Sequence, residues 1–521
     1  MTQPPAEPVP LAYESLSEAQ GRTKRIVASI RGHFRRWARP DFQFSRSVFL
    51  RLLGCIYLIA FLSLGSQIDG LVGSKGILPI APYLEAVQQD YGAQAHLLLP
   101  TLLWFGASDH ALHVLCIGGE ILSVLLIAGI LPIPVLILLW AFYLSLAVGG
   151  QTFLGFQWDC LLLEAGLLAV FLAPAQLALW RTSKRPPSFL VILLFRWLVF
   201  RVLFLSGVLK ISSGDLTWRH FTALNYHYQT QPIPAWTSWY FHHLPAWFQA
   251  VSVGYMFYAE LVASVLIFGP RISRVIAFWS IVLLQLLIAS SGNFGFFNLL
   301  TIVLCFPILD DTCWPSRMRT PFAVCHPKPS VLWPLPLLAP LAILILILSG
   351  MTVADAFDGK INWPLFLTTL NDKVEPFRSI NGYGLFRVMT TERDEIEVQG
   401  SDDGLEWKTY EFKWKPGPLD RAPAFCTPHM PRLDWQMWFA SLGEAESNPW
   451  FINFLSRLLQ GSQPVLDLLG QNPFPDHPPK YVRAEFYKYE FTTAAERAAT
   501  GDWWKREKIG TYYPPVALNG N

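Results

Sequence analysis

The stretch GFQWDCLLLEAGLLAVFLAPA, residues 155–175, decides the fold class. It is long and apolar enough to cross a bilayer, yet it carries Gln157, Asp159 and Glu164. A charge at the centre of a lipid-facing helix costs at least ~2.5–3.5 kcal/mol. This helix is therefore stable only if its polar side turns into a bundle of other helices. Gln157 and Glu164 are seven residues apart and share one face. The next apolar run, 188–209, brings Arg196 and Arg201, with Lys210 at its outer end. Arg196 and Lys210 fall on one side of that helix and Arg201 on the opposite side. Two antiparallel helices joined by a short loop would set Glu164 level with Arg201 and Arg196. Glu120 and Glu260 lie near the middle of two further apolar runs.

These charges support two readings. They are ion pairs that fix helix register, or they line a polar cavity open to the outer side. Lys210 poses the same choice by itself. Against an apolar wall it can lose its proton and act as a base. At a helix end it can also reach the headgroups by snorkelling.

Composition carries the membrane reading to the rest of the chain. Of 521 residues, 52% are hydrophobic and 15% charged, against about 25% charged in a soluble domain. That excludes a disordered chain, a coiled coil and an ordinary cytosolic enzyme. The 21 tryptophans suit interfacial belts. A net charge of +2 gives no footprint for nucleic acid. Apolar runs predict about nine transmembrane helices, at 47–67, 110–130, 132–148, 155–175, 188–209, 248–269, 274–291, 294–309 and 331–353. Residues 97–106 are too short to span and read as interfacial. With nine spans, the basic N-terminus and the basic groups around Arg181, Lys184 and Arg185, around Arg271 and Arg274, and around Arg317, Arg319 and Lys328 all fall on one side. The positive-inside rule makes that side cytoplasmic.

The expected organisation has three parts. Residues 1–46 form a basic amphipathic segment on the cytoplasmic face, with Ile26, Ile30, Phe34 and Trp37 at helical spacing. No apolar segment of signal-peptide type opens this stretch, so no cleavable signal peptide is expected. Residues 47–353 form the polytopic bundle. Residues 354–521 form an extracytoplasmic α+β domain, because charge rises to the soluble level from residue 372. Within it, 395–398 and 405–414 alternate around Ser401-Asp402-Asp403-Gly404, a hairpin signal. Residues 480–491 alternate similarly, and 431–442 and 448–470 have helical periodicity.

Loop 210–247 carries His220, Asn225, His227, Tyr228, Trp239, His242 and His243 among several prolines. It reads as a partner surface or a lid over the cavity. Its histidines lack the acidic or cysteine partners that would complete a metal site. Cys313 and Cys325, twelve apart, have no second pair for zinc. Four of the seven cysteines sit in apolar runs as small hydrophobes, so no disulfide framework is expected. The turn Gly292-Asn293-Phe294-Gly295-Phe296-Phe297-Asn298 reads as structural. No hydrolase, nucleotide or phosphoryl-transfer motif is present, and no cofactor is called for.

Several stretches are specific enough to carry a resemblance. Residues 156–166, 224–232 (Leu224-Asn225-Tyr226-His227-Tyr228-Gln229-Thr230-Gln231-Pro232), 238–245, 291–298 and 431–439 (Pro431-Arg432-Leu433-Asp434-Trp435-Gln436-Met437-Trp438-Phe439) resemble signatures of the lipase maturation factor family. The resemblance implies a polytopic membrane protein that assists folding of secreted lipases, found in animals in the endoplasmic reticulum membrane. The compact chain without a retention signal looks like a bacterial-type member. It would then sit in the inner membrane with its tail in the periplasm, in contact with lipid and a secreted client protein. The membrane part is also distantly similar to vitamin K-dependent γ-carboxylase. Gly207-Val208-Leu209-Lys210 and Trp218 resemble that family's base lysine motif, whereas Gln157-Trp158-Asp159 stands where that family carries histidine. The expectations are a maturation factor working through loop and tail, alternatively a membrane-embedded enzyme with Lys210 as its candidate base, or a transporter.

Overall fold

The computed structural model describes residues 42–177, 185–319, 332–357, 359 and 361–518. The basic amphipathic segment expected before residue 42, and Cys325, lie outside the described residues. Helices α1 (Gln43–Gly65), α2 (Asp109–Ala128), α3 (Pro132–Gly149), α4 (Gln157–Leu172) and α5 (Phe189–Ser212) build the first half of the bundle. Two short helices of the outer loop follow, α6 (Leu224–Thr230) and α7 (Trp236–His242). Then come α8 (Ala246–Leu266), α9 (Arg271–Ser291), α10 (Phe297–Leu304) and α11 (Leu335–Asp355).

Among the described residues, seven helices are long and apolar enough to cross a membrane: α1, α2, α3, α5, α8, α9 and α11. The other two expected spans are shorter. Helix α4 has 16 residues, about 24 Å at 1.5 Å per residue, against a hydrocarbon core of about 30 Å. The apolar helix around α10 ends at Ile308. Both are deeply buried, with Leu161, Leu162, Leu163, Leu300 and Leu304 fully enclosed. Apolarity in these two segments therefore reflects packing against protein as much as contact with lipid.

Contacts between helix ends give the bundle its polarity. At one end the α1 amides of Phe44 and Ser45 donate to the Asp311 carboxylate at 2.9 and 3.0 Å, an anion on a helix N-terminus. Beside them Arg46 donates to the Arg185 carbonyl at 3.3 Å, and Arg274 pairs with Asp310 at 2.7 Å. The basic segments thus gather at this end. At the other end, Ser63 of α1, Gln67 just beyond it, Gln157 of α4 and Ser291 of α9 bond to the outer loop or to the C-terminal region.

The C-terminal region is α+β. Its antiparallel sheet runs β2 (Lys408–Thr409), β1 (Arg393–Ser401), β5 (Tyr481–Phe491), β6 (Trp504–Val516). A second sheet pairs β3 (Glu411–Phe412) with β4 (Leu469–Gln471). The hairpin expected across Ser401–Gly404 forms, but only over Lys408–Thr409. Beyond Tyr410 the chain leaves β1 and joins the other sheet, so one long hairpin arm is replaced by two short strands. Helix α12 (Arg432–Ser441) matches the helical periodicity of 431–442, whereas of 448–470 only α13 (Pro449–Leu459) and a short turn of helix at Gln463–Leu466 form, and Leu469–Gln471 is strand β4. Helix α13 buries Phe451, Phe454, Leu455 and Leu458, the spacing of one apolar stripe.

Candidate functional site

The charges expected to form one cluster fall into three places. Their separation follows from helix geometry. Arg201 and Lys210 are nine residues apart on α5, half a turn off a whole number of turns, so they emerge on opposite sides.

On one side, Arg201 pairs with Glu164 of α4, with both side chains enclosed. Glu164 also accepts from Tyr383 Oη at 2.7 Å, and Arg201 donates to the Asn381 carbonyl at 2.9 Å. Gln157 accepts from the Gly384 amide at 3.1 Å. The strand of chain from 378 to 389 thus lies strapped over α4 and α5. One turn away, Asp159 receives Arg432 of α12 through both carboxylate oxygens, at 2.5 and 2.8 Å, and the Tyr143 hydroxyl at 2.6 Å. The two stretches singled out in sequence, around Asp159 and around Arg432, are therefore the two halves of one joint. Trp158 and Trp435 pack edge to face at 4.8 Å within it. Burial raises the Asp434 carboxyl pKa, while its oxygen accepts from the Trp414 and Lys415 amides at 2.9 Å. Arg196 belongs to neither group. It sits toward the basic end and donates to the Ile308 carbonyl at 3.2 Å. Glu120 is half-buried and forms no ion pair among the described residues.

On the other side of α5, Lys210 is 4% exposed and its ammonium lies 2.9 and 3.0 Å from the two oxygens of Glu260. It neither snorkels nor stands free as a base. Glu260 lies in a π-helical turn, Tyr258–Ala263, inside α8. Such turns re-aim a side chain and occur often at functional sites. Gly207 makes the approach possible. A Cβ there would meet Leu261 at 2.6 Å and Glu260 at 3.2 Å. The Lys210 ammonium also sits 5.3 Å from the centre of the Trp218 ring.

This pair forms the end of a cavity of about 340 Å³ between α5, α8 and α9, roofed by α6 and by Leu385 and Phe386 of the strap. Its size lies in the range of roughly 300–1,000 Å³ typical of ligand sites. The walls are largely apolar, and the polar groups converge from His227, Gln285, Asn298 and the ion pair. Burial, and secondarily the Lys210 charge, push the His227 pKa down to about 4, so the imidazole is neutral at pH 7.

The outer loop is no free lid. Arg393 of β1 reaches into it and donates to the carbonyls of Gln229, Gln231 and Pro232. The Trp438 indole donates to the Thr230 carbonyl at 2.9 Å, and the Trp239 indole to that of Thr492 at 2.9 Å. Asn293, in the glycine-rich turn, accepts from the amides of Cys426 and Thr427 at 2.8 and 3.0 Å. Gly292 is required where it is, because a Cβ would strike Gln231 Oε1 at 1.8 Å. Of the other loop residues, Asn225 is half-buried and Tyr228 lines the cavity roof. His243 is exposed and bonds the Trp239 carbonyl at 2.7 Å. His242 packs on Phe491, and burial lowers its pKa to about 4.

Sequence reasoning missed Tyr383, Asn381, Phe386, Arg393 and Arg432 as partners. Only Arg432 lies within a family-like stretch, and each of the five meets the bundle or the outer loop across more than 160 residues of chain.

The fold and its joints define a class: a polytopic helical membrane protein whose outer loops are fused to an α+β domain at one end. Sequence comparison narrows that class. The profile described as lipase maturation factor transmembrane domain matches residues 44–316, and the one described as lipase maturation factor C-terminal domain matches residues 379–514. Lipase maturation factor 2 of Gallus gallus is 37% identical across 91% of this chain and 81% of its own length. Lipase maturation factor 2 of Homo sapiens is 35% identical across 91% and 82%. Lipase maturation factor 1 of Bos taurus is 34% identical across 94% and 91%. The chain belongs to the lipase maturation factor family. No solved structure matches it.

Proposed function

We propose that this protein assists the folding of secreted proteins such as lipases, and that the outer loop and the C-terminal domain do so as one platform. The observation that carries this is the Arg393 grip on three loop carbonyls, which makes the two parts a single rigid surface. That surface displays aromatic side chains from both. Trp236 and Tyr240 of the loop stand 46% and 50% exposed, and Phe425 of the C-terminal domain lies 6.2 Å from Trp236. Exposed aromatics on a rigid support suit capture of the apolar surface of an incompletely folded client.

The topology consistent with this role has nine crossings. The segment with α4 and the one from Asn293 through α10 to Asp310 would each connect the two ends of the bundle, and the basic ends lie on the cytoplasmic side. The bundle at 47–353 then hands over to an extracytoplasmic domain from about 354. That domain would face the periplasm of a bacterium, or the lumen of the endoplasmic reticulum in a eukaryote.

The test is co-expression of a secreted lipase with the chain carrying Trp236→Ala, Tyr240→Ala and Phe425→Ala together. The expected result is loss of most active lipase and of lipase co-purification, with the membrane protein's thermal unfolding shifted little. Full lipase maturation by the triple variant would sink the reading.

A further inference from the structure

The cavity beside Lys210 and Glu260 is separate from the aromatic platform, and its chemistry selects a ligand of its own. Its walls are built by apolar side chains such as Val202, Met256, Leu284 and Ile288, which favour a hydrocarbon chain. Its polar end carries no net charge. All three Lys210 donors are engaged, two on Glu260 and one on the Ser206 carbonyl at 3.3 Å. A phosphate or carboxylate would have to break that pair, and so would an ammonium group.

Two polar atoms at the same end are unengaged. Asn298 is 2% exposed. Its amide nitrogen donates to Gln285 Oε1 at 2.8 Å, but its Oδ1 has no hydrogen-bond partner among the described residues. His227 is 8% exposed, and its Nδ1 is likewise unpartnered. Buried polar atoms in native proteins are nearly always bonded, and these two, unlike most other unpartnered atoms among the described residues, line a cavity where a ligand can satisfy them. Oδ1 of asparagine only accepts, so its complement is a hydroxyl donor.

The mouth sets the route. Val251 of α8 and Leu283 and Leu287 of α9 line the cavity yet are 63%, 49% and 43% exposed. These surfaces belong to helices apolar enough to face lipid, so the opening is lateral, toward the bilayer rather than toward water.

We propose that this cavity binds a neutral lipid with a free hydroxyl, of the acylglycerol class, which enters sideways between α8 and α9 and donates its hydroxyl to Asn298 Oδ1.

The test uses the full chain in lipid nanodiscs with a photoactivatable diacylglycerol, and the crosslinked peptides are mapped by mass spectrometry. The expected labels fall on the α8 and α9 segments that line the cavity. Excess unlabelled diacylglycerol should compete at least tenfold better than triacylglycerol, which lacks the hydroxyl, and tenfold better than phosphatidic acid, which adds charge. Leu284→Trp should fill the cavity and cut labelling about tenfold. Asn298→Leu should leave labelling largely in place but erase the preference for diacylglycerol over triacylglycerol. Labelling spread over the lipid-facing surface would overturn the proposal, as would equal competition by all three lipids or stronger competition by phosphatidic acid. The competition series needs only the unaltered chain, so it decides the matter even if a variant fails to fold.

Discussion

The two sides of α5 handle buried charge in opposite ways. On the Arg201 side, Glu164 and Asp159 are enclosed by guanidinium, tyrosine and asparagine side chains, and three of these five partners, Asn381, Tyr383 and Arg432, come from beyond residue 377. On the Lys210 side, a lysine and a glutamate neutralise each other next to open space, with unengaged polar atoms close by. The seam uses its charges to join the two parts of the chain, whereas beside the cavity unpartnered polar atoms face open space. Buried acid–base pairs about 13.5 Å apart along α5 therefore build a seam in one place and a candidate site in the other.

The sharpest way to break this contrast is to remove one partner from the seam. Arg432→Ala leaves Asp159 buried and uncompensated, which for a buried pair costs about 3–5 kcal/mol. Thermal unfolding in detergent should fall sharply, and limited proteolysis should release the C-terminal domain from the bundle. If the variant melts like the parent and resists protease, Asp159–Arg432 is not the joint described here. A smaller loss is expected at the cavity. Lys210→Met strands Glu260, but the adjoining cavity leaves its side chain room to re-aim, so about 2 kcal/mol is expected, below the full buried-pair cost. The double variant Lys210→Met, Glu260→Leu should recover most of it. Equal losses in Arg432→Ala and Lys210→Met would erase the contrast.

Acidity acts on both sides, because burial holds His227 at the cavity and His429 at the seam neutral. His429 bonds Ser63 of α1 at 3.0 Å, and burial, then Arg432 and Lys413, lower its pKa to about 4. A histidine depressed from about 6.5 when unfolded binds fewer protons in the folded state. Its contribution to stability is therefore full above about pH 6.5 and is lost as pH falls toward 4. Between pH 7.5 and 5.0 this one residue should remove about 1–2 kcal/mol, and His429→Gln should flatten that part of the pH–stability curve. A curve unchanged by His429→Gln would show that the ring is not held neutral at the joint.

Much of this was legible in the sequence, and the missing part has a physical pattern. Helix α5 was visible because apolarity over some twenty residues is a local property. So was the opposition of Arg201 to the Arg196–Lys210 face, which follows from 100° per residue. The hairpin at Ser401–Gly404 and strand β5 were visible through period-two alternation. The pairing of Asp159 with Arg432 was not, since 273 residues separate them and no local pattern reports a contact at that range. The length of α4 was not legible for a different reason: a helix buried in protein and one buried in lipid have the same composition. The π-turn at Glu260 left no trace either, because one extra residue in a turn does not alter an apolar pattern.

A final change should disturb neither side of α5, and its small effect calibrates the larger ones. Thr493 caps the exposed helix Ala494–Thr500 in a reciprocal box. Its hydroxyl accepts from the Glu496 amide at 3.2 Å, and its amide donates to Glu496 Oε2 at 2.7 Å. Thr493→Ala removes one of these bonds, typically worth about 1 kcal/mol. The helix has seven residues and no buried side chain, so the loss should stay local. Hydrogen exchange should quicken over 494–500 while the seam keeps its protease resistance and the cavity its diacylglycerol preference. If the Thr493→Ala change loosened the seam as much as Arg432→Ala, the C-terminal region would be melting as one unit. The seam's apparent rigidity would then be a property of the whole domain rather than of the charges buried beneath it.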